Sequence, residues 1–314
     1  MSHIYIFSPS GAVRDKAAFH RGVRRLQALG HQVEIDPAAL LSHQRFAGDD
    51  AERVAAVGRA AASGADVALM ARGGYGLTRI LPNLPWKAMA KAAARGTRFV
   101  GHSDFTALQL GLLAQTGAVS WAGPGLTDDF GSEAEPDDIM VACFDDLLSG
   151  QGEGTGWRLP AARGAAATVA EASLERLRAK PVLGATLWGG NLSILVSLLG
   201  TPWWPEVRGG VLFLEDVNEH PFRIERMLTQ LLHAGVLARQ KAVLLGSFTG
   251  YRLTPHDRGF TLPTVVQRLR SLIGVPVLTG LPFGHVPTKV LLPVGAKVDV
   301  ALEGRDAWMV WGHA

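Results

Sequence analysis

The feature that most limits what this chain can fold into is the regular exchange of strand and helix signals through its first half. Residues 3–7 form a short β-rich run that ends at Ser8-Pro9-Ser10-Gly11. Residues 16–29 carry apolar side chains at helical spacing, and Gly30 stands where a helix C-terminal glycine belongs. A second strand over 31–35, a helix over 49–62 closed by Gly64, and a third strand over 65–70 follow, the last running into Arg72-Gly73-Gly74-Tyr75-Gly76. A helix over 86–94, a strand over 98–101 and a helix over 104–115 continue the pattern. Such alternation predicts an α/β fold with a doubly wound, flavodoxin-like parallel sheet.

The pattern breaks after residue 147. Gly150, Gly152, Gly154 and Gly156, then an alanine-rich stretch, show no clear periodicity before Ala170, so 148–180 reads as a linker. Beyond it come a strand over 209–214, a helix over 221–233 opened by Pro221, and a strand over 241–248. Residues 296–302 and 307–311 alternate with period two, as an antiparallel ribbon does. The expected organisation is an N-terminal α/β domain over 1–147, the linker, and a smaller mixed α+β C-terminal domain over 181–314. The glycine-rich stretch 184–195 reads as a loop opening a helix.

Composition then excludes several classes. Hydrophobic residues make up 47% and charged residues 19% of 314, which is a folded rather than a disordered chain. The net charge is +3 and its basic residues are scattered, so no nucleic-acid footprint is expected. The single cysteine, Cys143, rules out an internal disulfide framework and a multi-cysteine zinc site. The uncharged stretches 105–127 and 181–205 are broken by Gly, Pro and polar residues, and the first residues read as a strand rather than a signal peptide. No membrane association is expected, and the cytoplasm is the expected compartment. There is no phosphate-loop or dinucleotide glycine motif and no His-Glu-x-x-His helix, and the ten histidines are dispersed. No metal or cofactor is expected.

Arg98-Phe99-Val100-Gly101-His102-Ser103-Asp104-Phe105 carries the strongest chemical signal. An apolar strand meets a helix through one sharp turn with serine at the junction, the layout of a nucleophile elbow, although Phe105 replaces the usual second glycine. A bare N-cap role for Ser103 is the simpler reading of this segment alone. A serine nucleophile needs a base and a group to orient it. Glu215 and Asp216 end the apolar run Val211-Leu212-Phe213-Leu214, and His285 lies on the proline-flanked Leu281-Pro282-Phe283-Gly284-His285-Val286-Pro287. Taken singly, each also reads as an ordinary strand end or an exposed loop residue. The glycines of Arg72-Gly73-Gly74-Tyr75-Gly76 allow backbone N–H groups to approach a ligand closely.

Together these segments, with Gly123-Pro124, Gly189-Gly190-Asn191-Leu192-Ser193 and Gly200-Thr201-Pro202, resemble the LD-carboxypeptidase family of serine peptidases. The resemblance implies a triad of Ser103, Glu215 and His285, with the serine on the N-terminal domain and the other two on the C-terminal domain. It implies an oxyanion hole of backbone N–H groups, mapping onto Asp104 and the Gly73-Gly74 turn. The implied substrate is a peptidoglycan-derived peptide, the cytoplasmic murein tetrapeptide, whose terminal D-alanine is removed; the implied assembly is a homodimer. Arg72 and Arg79, beside the glycine loop, are the candidates to meet the substrate carboxylate. Val286-Pro287-Thr288 departs from the small or amide residues that family members often carry there. An immunity peptidase of the same family, cleaving an aminoacyl-nucleotide antibiotic, would share the triad. A non-enzymatic cell-wall binder and an α/β-hydrolase esterase are further readings, opposed respectively by the intact triad and by Phe105.

Overall fold

The computed structural model describes residues 1–161 and 165–312. They gather into two compact units, and neither is a single stretch of chain. The first holds Met1–Gly152, Leu198–Pro205 and Pro287–Gly295; the second holds Glu153–Ser197, Glu206–Val286 and Ala296–Ala314.

With elements numbered along the chain, the first unit contains strands β1 (His3–Phe7), β2 (Gln32–Ile35), β3 (Val67–Met70), β4 (Arg98–Gly101), β5 (Ser120–Ala122) and β11 (Leu292–Val294). Its helices are α1 (Lys16–Ala28), α2 (Asp50–Ala62), α3 (Leu77–Ile80), α4 (Trp86–Ala94), α5 (Thr106–Thr116) and α6 (Asp138–Ser149). The sheet order is β11-β5-β4-β3-β1-β2, and β1 to β5 are all parallel. This is the flavodoxin-like order 2-1-3-4-5, in which the chain reverses direction across the sheet between β1 and β3. Ligands of such sheets bind beyond the carboxyl ends of the strands, where this reversal opens a crevice. All four residues of β3 are buried, as parallel strands covered on both faces require. Asp15, Asp49 and Asp137 cap α1, α2 and α6 through their carboxylates, each cap contributing about 1 kcal/mol. Antiparallel β11 sits at the sheet edge, a place that tolerates Pro293, which has no N–H to donate.

The second unit contains β6 (Gly154–Arg158), β7 (Val182–Asn191), β8 (Val211–Val217), β9 (Ala242–Thr249), β10 (Val277–Thr279), β12 (Lys297–Glu303) and β13 (Asp306–Val310). Its helices are α7 (Ala165–Ala179), α8 (Leu192–Ser197), α9 (Pro221–His233) and α10 (Leu262–Leu272). The order β10-β9-β8-β7-β12-β13-β6 joins a parallel half to an antiparallel half. The mixed α/β fold and the ribbon of β12 and β13 agree with the sequence reading.

Two segments depart from it. The span 148–180, read as a linker, carries β6 and α7. Glycine gives β6 no alternating side chains to betray it. Among the described side chains of α7, Ala170, Leu174 and Leu177 are the buried hydrophobics, a thin stripe easily lost among alanines. The stretch read as a glycine loop at 184–195 is instead strand through Asn191, and the helix begins at Leu192. A β-carbon built on Gly189 (φ +134°) would lie 1.9 Å from the Phe213 carbonyl oxygen, so glycine is what lets β7 pair closely with β8. Among the described residues no helix is long and apolar enough to cross a membrane.

Candidate active site

In the first unit, β4 delivers its chain into a sharp turn. Gly101 ends the strand, and a β-carbon there would strike the Met70 sulfur and the Phe105 ring, both at 2.7 Å. His102 stays extended, with its Nδ1 2.9 Å from the Gly123 carbonyl oxygen. Ser103 then takes φ +63°, a left-handed conformation that costs a non-glycine residue about 1–3 kcal/mol and clusters at functional sites. A single 3₁₀ turn, Ser103–Phe105, leads into α5. Phe105, where an elbow usually has glycine, is fully buried and packs edge-on to Phe7 with ring centroids 6.1 Å apart.

The glycine loop after β3 lies against this turn. A β-carbon on Gly73 would sit 3.0 Å from Ser103 Cβ and 3.1 Å from its Oγ, so any side chain at position 73 would press on the hydroxyl. The Gly73 carbonyl accepts from Gly11 N–H at 3.1 Å, which pins this loop to the one after β1. Because the 73–74 peptide is trans, the Gly74 N–H points away from Gly11.

Asp104 is 1% exposed. Its carboxylate accepts from Leu77 N–H at 2.9 Å and from the Ser10 hydroxyl, and burial pushes its pKa up against those hydrogen bonds. Arg72 is half-buried, with Nη1 wedged beside Gly11 and Gly74; burial pulls its pKa down while nearby Asp128 opposes the shift. Arg79 is differently placed. It pairs with Asp50 at 3.1 Å and lies over the Phe46 ring at 4.7 Å.

In the second unit, β8 presents Glu215 beside Asn191 of β7. Glu215 has no exposure at all, and its Oε2 lies 2.7 Å from His285 Nδ1. A carboxylate can only accept here, so Nδ1 carries a proton; in the neutral ring the lone pair then belongs to Nε2, as a general base requires. The histidine loop is fixed from below. Phe283 is buried edge-on against Phe213 with centroids 5.5 Å apart, and its carbonyl accepts from Ser247 N–H at 2.8 Å. Gly284 takes φ +140°, which turns the chain toward Glu215. Residues 70 positions apart are thus brought together as a histidine–carboxylate pair.

Two neighbours escaped the sequence reading as functional groups. Asn191 Nδ2 donates to Glu215 Oε1 at 3.2 Å and to Asp216 Oδ1 at 3.0 Å, so one amide ties the two adjacent carboxylates. Asp216 also accepts from Ser193 N–H at 2.9 Å and Val217 N–H at 2.8 Å. Burial still pushes its pKa up to about 6. The signal available was a polar Asn-Leu-Ser closing an apolar strand, paired in register with Glu215. Among the described residues no group of three or more His, Cys, Asp or Glu is placed to hold a metal ion.

A serine on a strained strand–helix turn beside a glycine nest, and a buried-carboxylate–histidine pair, are the parts of a hydrolase. The LD-carboxypeptidase N-terminal domain matches residues 4–123, and the LD-carboxypeptidase C-terminal domain matches 184–300. A crystal structure of muramoyltetrapeptide carboxypeptidase from Oxalobacter formigenes superposes with TM-score 0.83 at 35% identity over 98% of both chains. A Bacillus subtilis protein named "Probable murein peptide carboxypeptidase" is 31% identical over 90% of this chain and 83% of its own. The microcin C7 self-immunity protein of Escherichia coli is 25% identical over 74% of this chain and 70% of its own. The chain belongs to the LD-carboxypeptidase family and is an enzyme of the carboxypeptidase class.

Proposed function

We propose that this enzyme is a serine L,D-carboxypeptidase that removes the terminal D-alanine from murein tetrapeptides in peptidoglycan recycling, with Ser103, His285 and Glu215 as its triad. The observation that carries the reading is the 2.7 Å contact between His285 Nδ1 and the fully buried Glu215 carboxylate, which orients the ring and stabilises its cation. His285 Nε2 takes the Ser103 hydroxyl proton as Oγ attacks the carbonyl of the bond to D-alanine. The oxyanion that forms is met by the Asp104 N–H and an N–H of the Gly73-Gly74 turn. His285 then gives its proton to the departing D-alanine amine, and water hydrolyses the acyl-serine by the same steps in reverse. Arg72, half-buried beside the glycine loop, binds the substrate's terminal carboxylate and offsets its desolvation. Arg79 contributes less, because Asp50 and Phe46 already hold its guanidinium.

The enzyme acts in the cytoplasm as a homodimer, needs no metal or cofactor, and binds neither nucleic acid nor membrane. Incubation with murein tetrapeptide and, separately, with an aminoacyl-nucleotide tests the substrate. Release of D-alanine without nucleotide turnover is expected. Turnover of the nucleotide conjugate alone would move the enzyme to the immunity branch of the family. Light scattering at twice the chain mass is the expected result for the assembly; a monomer contradicts it.

A further inference from the structure

We propose that the Asp104 side chain is a positioning residue that clamps together the three loops forming the nucleophile turn and the oxyanion hole, and this rests on Ser103 being the nucleophile. Strands β1, β3 and β4 are neighbours in the sheet, so the loops leaving their carboxyl ends lie side by side at its topological reversal. Asp104 belongs to the loop after β4. Its carboxylate oxygen Oδ2 accepts from the Ser10 hydroxyl, on the loop after β1, and from the Leu77 N–H, where the loop after β3 turns into α3. One oxygen of a side chain that is 1% exposed therefore holds all three loops. The same loops carry the groups that chemistry at Ser103 requires. Gly73, in the β3 loop, lies so near Ser103 that a β-carbon there would sit 3.1 Å from the hydroxyl, and the residue that supplies the clamping carboxylate also supplies a backbone N–H beside the serine.

The remaining contacts have the same design. Gly76, at the start of α3, takes φ +147°, and that helix has no side-chain cap of its own. The Asp104 carboxylate fills that place from another loop. Arg53, with no exposure, donates to the Pro9 carbonyl at 3.2 Å and the Gly76 carbonyl at 2.8 Å, cross-linking the β1 and β3 loops from behind. The Gly11 N–H to Gly73 carbonyl bond adds a third tie. An oxyanion hole works because its donors are fixed before charge develops, so slack in these loops is felt in the transition state far more than in the bound substrate.

The test compares wild type, Asp104→Asn, Ser10→Ala and Ser103→Ala with murein tetrapeptide and with a peptide aldehyde that forms a tetrahedral adduct. Asp104→Asn is expected to lower kcat about 30-fold and Ser10→Ala about fivefold, with KM within threefold of wild type. Aldehyde affinity should weaken by the same factors as kcat/KM, while affinity for the tripeptide product stays within twofold. A merely structural role would instead lower thermal stability and weaken product and aldehyde binding alike, and that pattern overturns the proposal. So does a kcat within twofold of wild type in both Asp104→Asn and Ser10→Ala. If Asp104→Asn yields no folded protein, Ser10→Ala alone decides by the same criteria. Ser103→Ala separates the two readings: its inactivity beside fully active Asp104→Asn and Ser10→Ala refutes the clamp only, whereas an active Ser103→Ala refutes the nucleophile assignment itself.

Discussion

Replacing Glu215 by Gln removes one charge and almost no volume, which makes it the cleanest perturbation of the histidine pair. With Oε2 2.7 Å from Nδ1, the charge centres of carboxylate and imidazolium lie about 4 Å apart, and at an effective dielectric of 20 their attraction is about 4 kcal/mol. That attraction exists only when His285 has taken a proton, so its loss falls on the transition state and corresponds to about a thousandfold in kcat. The hydrogen bonds add to the effect. Glu215 Oε1 already accepts from Asn191, so a Gln amide that turns its NH2 toward Asn191 sets donor against donor. Turned the other way, it donates to His285 Nδ1 and forces the proton onto Nε2, where the base needs a lone pair. We therefore expect Glu215→Gln to lower kcat for D-alanine release by 10³–10⁴, with KM within threefold, in an assay coupling released D-alanine to D-amino acid oxidase at pH 7. A loss below tenfold, or one seen only in KM, would refute the claim that this carboxylate stabilises a histidine cation.

Three further outcomes concern the fold. Asp216 holds its proton more tightly in the native chain than in the unfolded one (about 6 against 3.8), so its contribution to stability is complete below pH 3.8 and is lost as the pH rises through 6. Relative to Asp216→Asn, wild-type unfolding free energy from urea titrations should fall by about 2 kcal/mol between pH 4 and 7, and a flat difference contradicts the assignment. Lys289→Met strands the buried Asp129 carboxylate, whose ion-pair partner it removes, and should cost about 3–5 kcal/mol in the same titrations, with Asp129→Asn/Lys289→Met recovering part of it. Gly189→Ala should cost at least about 4 kcal/mol or leave no folded protein, since its β-carbon has no room beside Phe213, while Gly184→Ala, with open space around it, should cost about 1 kcal/mol in thermal melts.

The parallel core was legible in the sequence because its helices carry apolar stripes closed by glycines such as Gly30, and its strands are short runs of β-formers. What remained hidden depends on partners distant along the chain. Strand β11 has three residues, one of them Pro293, and is a strand only because β5 offers it an edge. Its membership of the first unit breaks the simple division of the chain at one linker. Helix α7 hides among alanines, and β6 among glycines whose missing side chains erase the alternation. Gly189 looked like a turn residue, yet its role is to let two strands approach, which no local pattern reports. At the candidate site, Ser103, Glu215 and His285 each stood out as the right chemical type at a strand end or on a stiffened loop. The 2.7 Å contact between the last two follows from the Phe283 anchor and the Gly284 turn. Asn191 and Ser10 gave no comparable signal, and Asp216 shared the strand end with Glu215 without anything to mark its own role, since a buried polar residue is recognisable only once its hydrogen-bond partners are known.

The proposed chemistry requires a nucleophilic serine, and the most direct measurement is single-turnover release of D-alanine from murein tetrapeptide by Ser103→Ala. Alanine keeps the backbone of the turn and removes only the hydroxyl, and circular dichroism establishes that the variant is folded. The expected rate is lower than wild type by at least about 10³, the remaining activity coming from binding and the oxyanion donors alone. A folded Ser103→Ala enzyme that releases D-alanine within tenfold of the wild-type rate would contradict it.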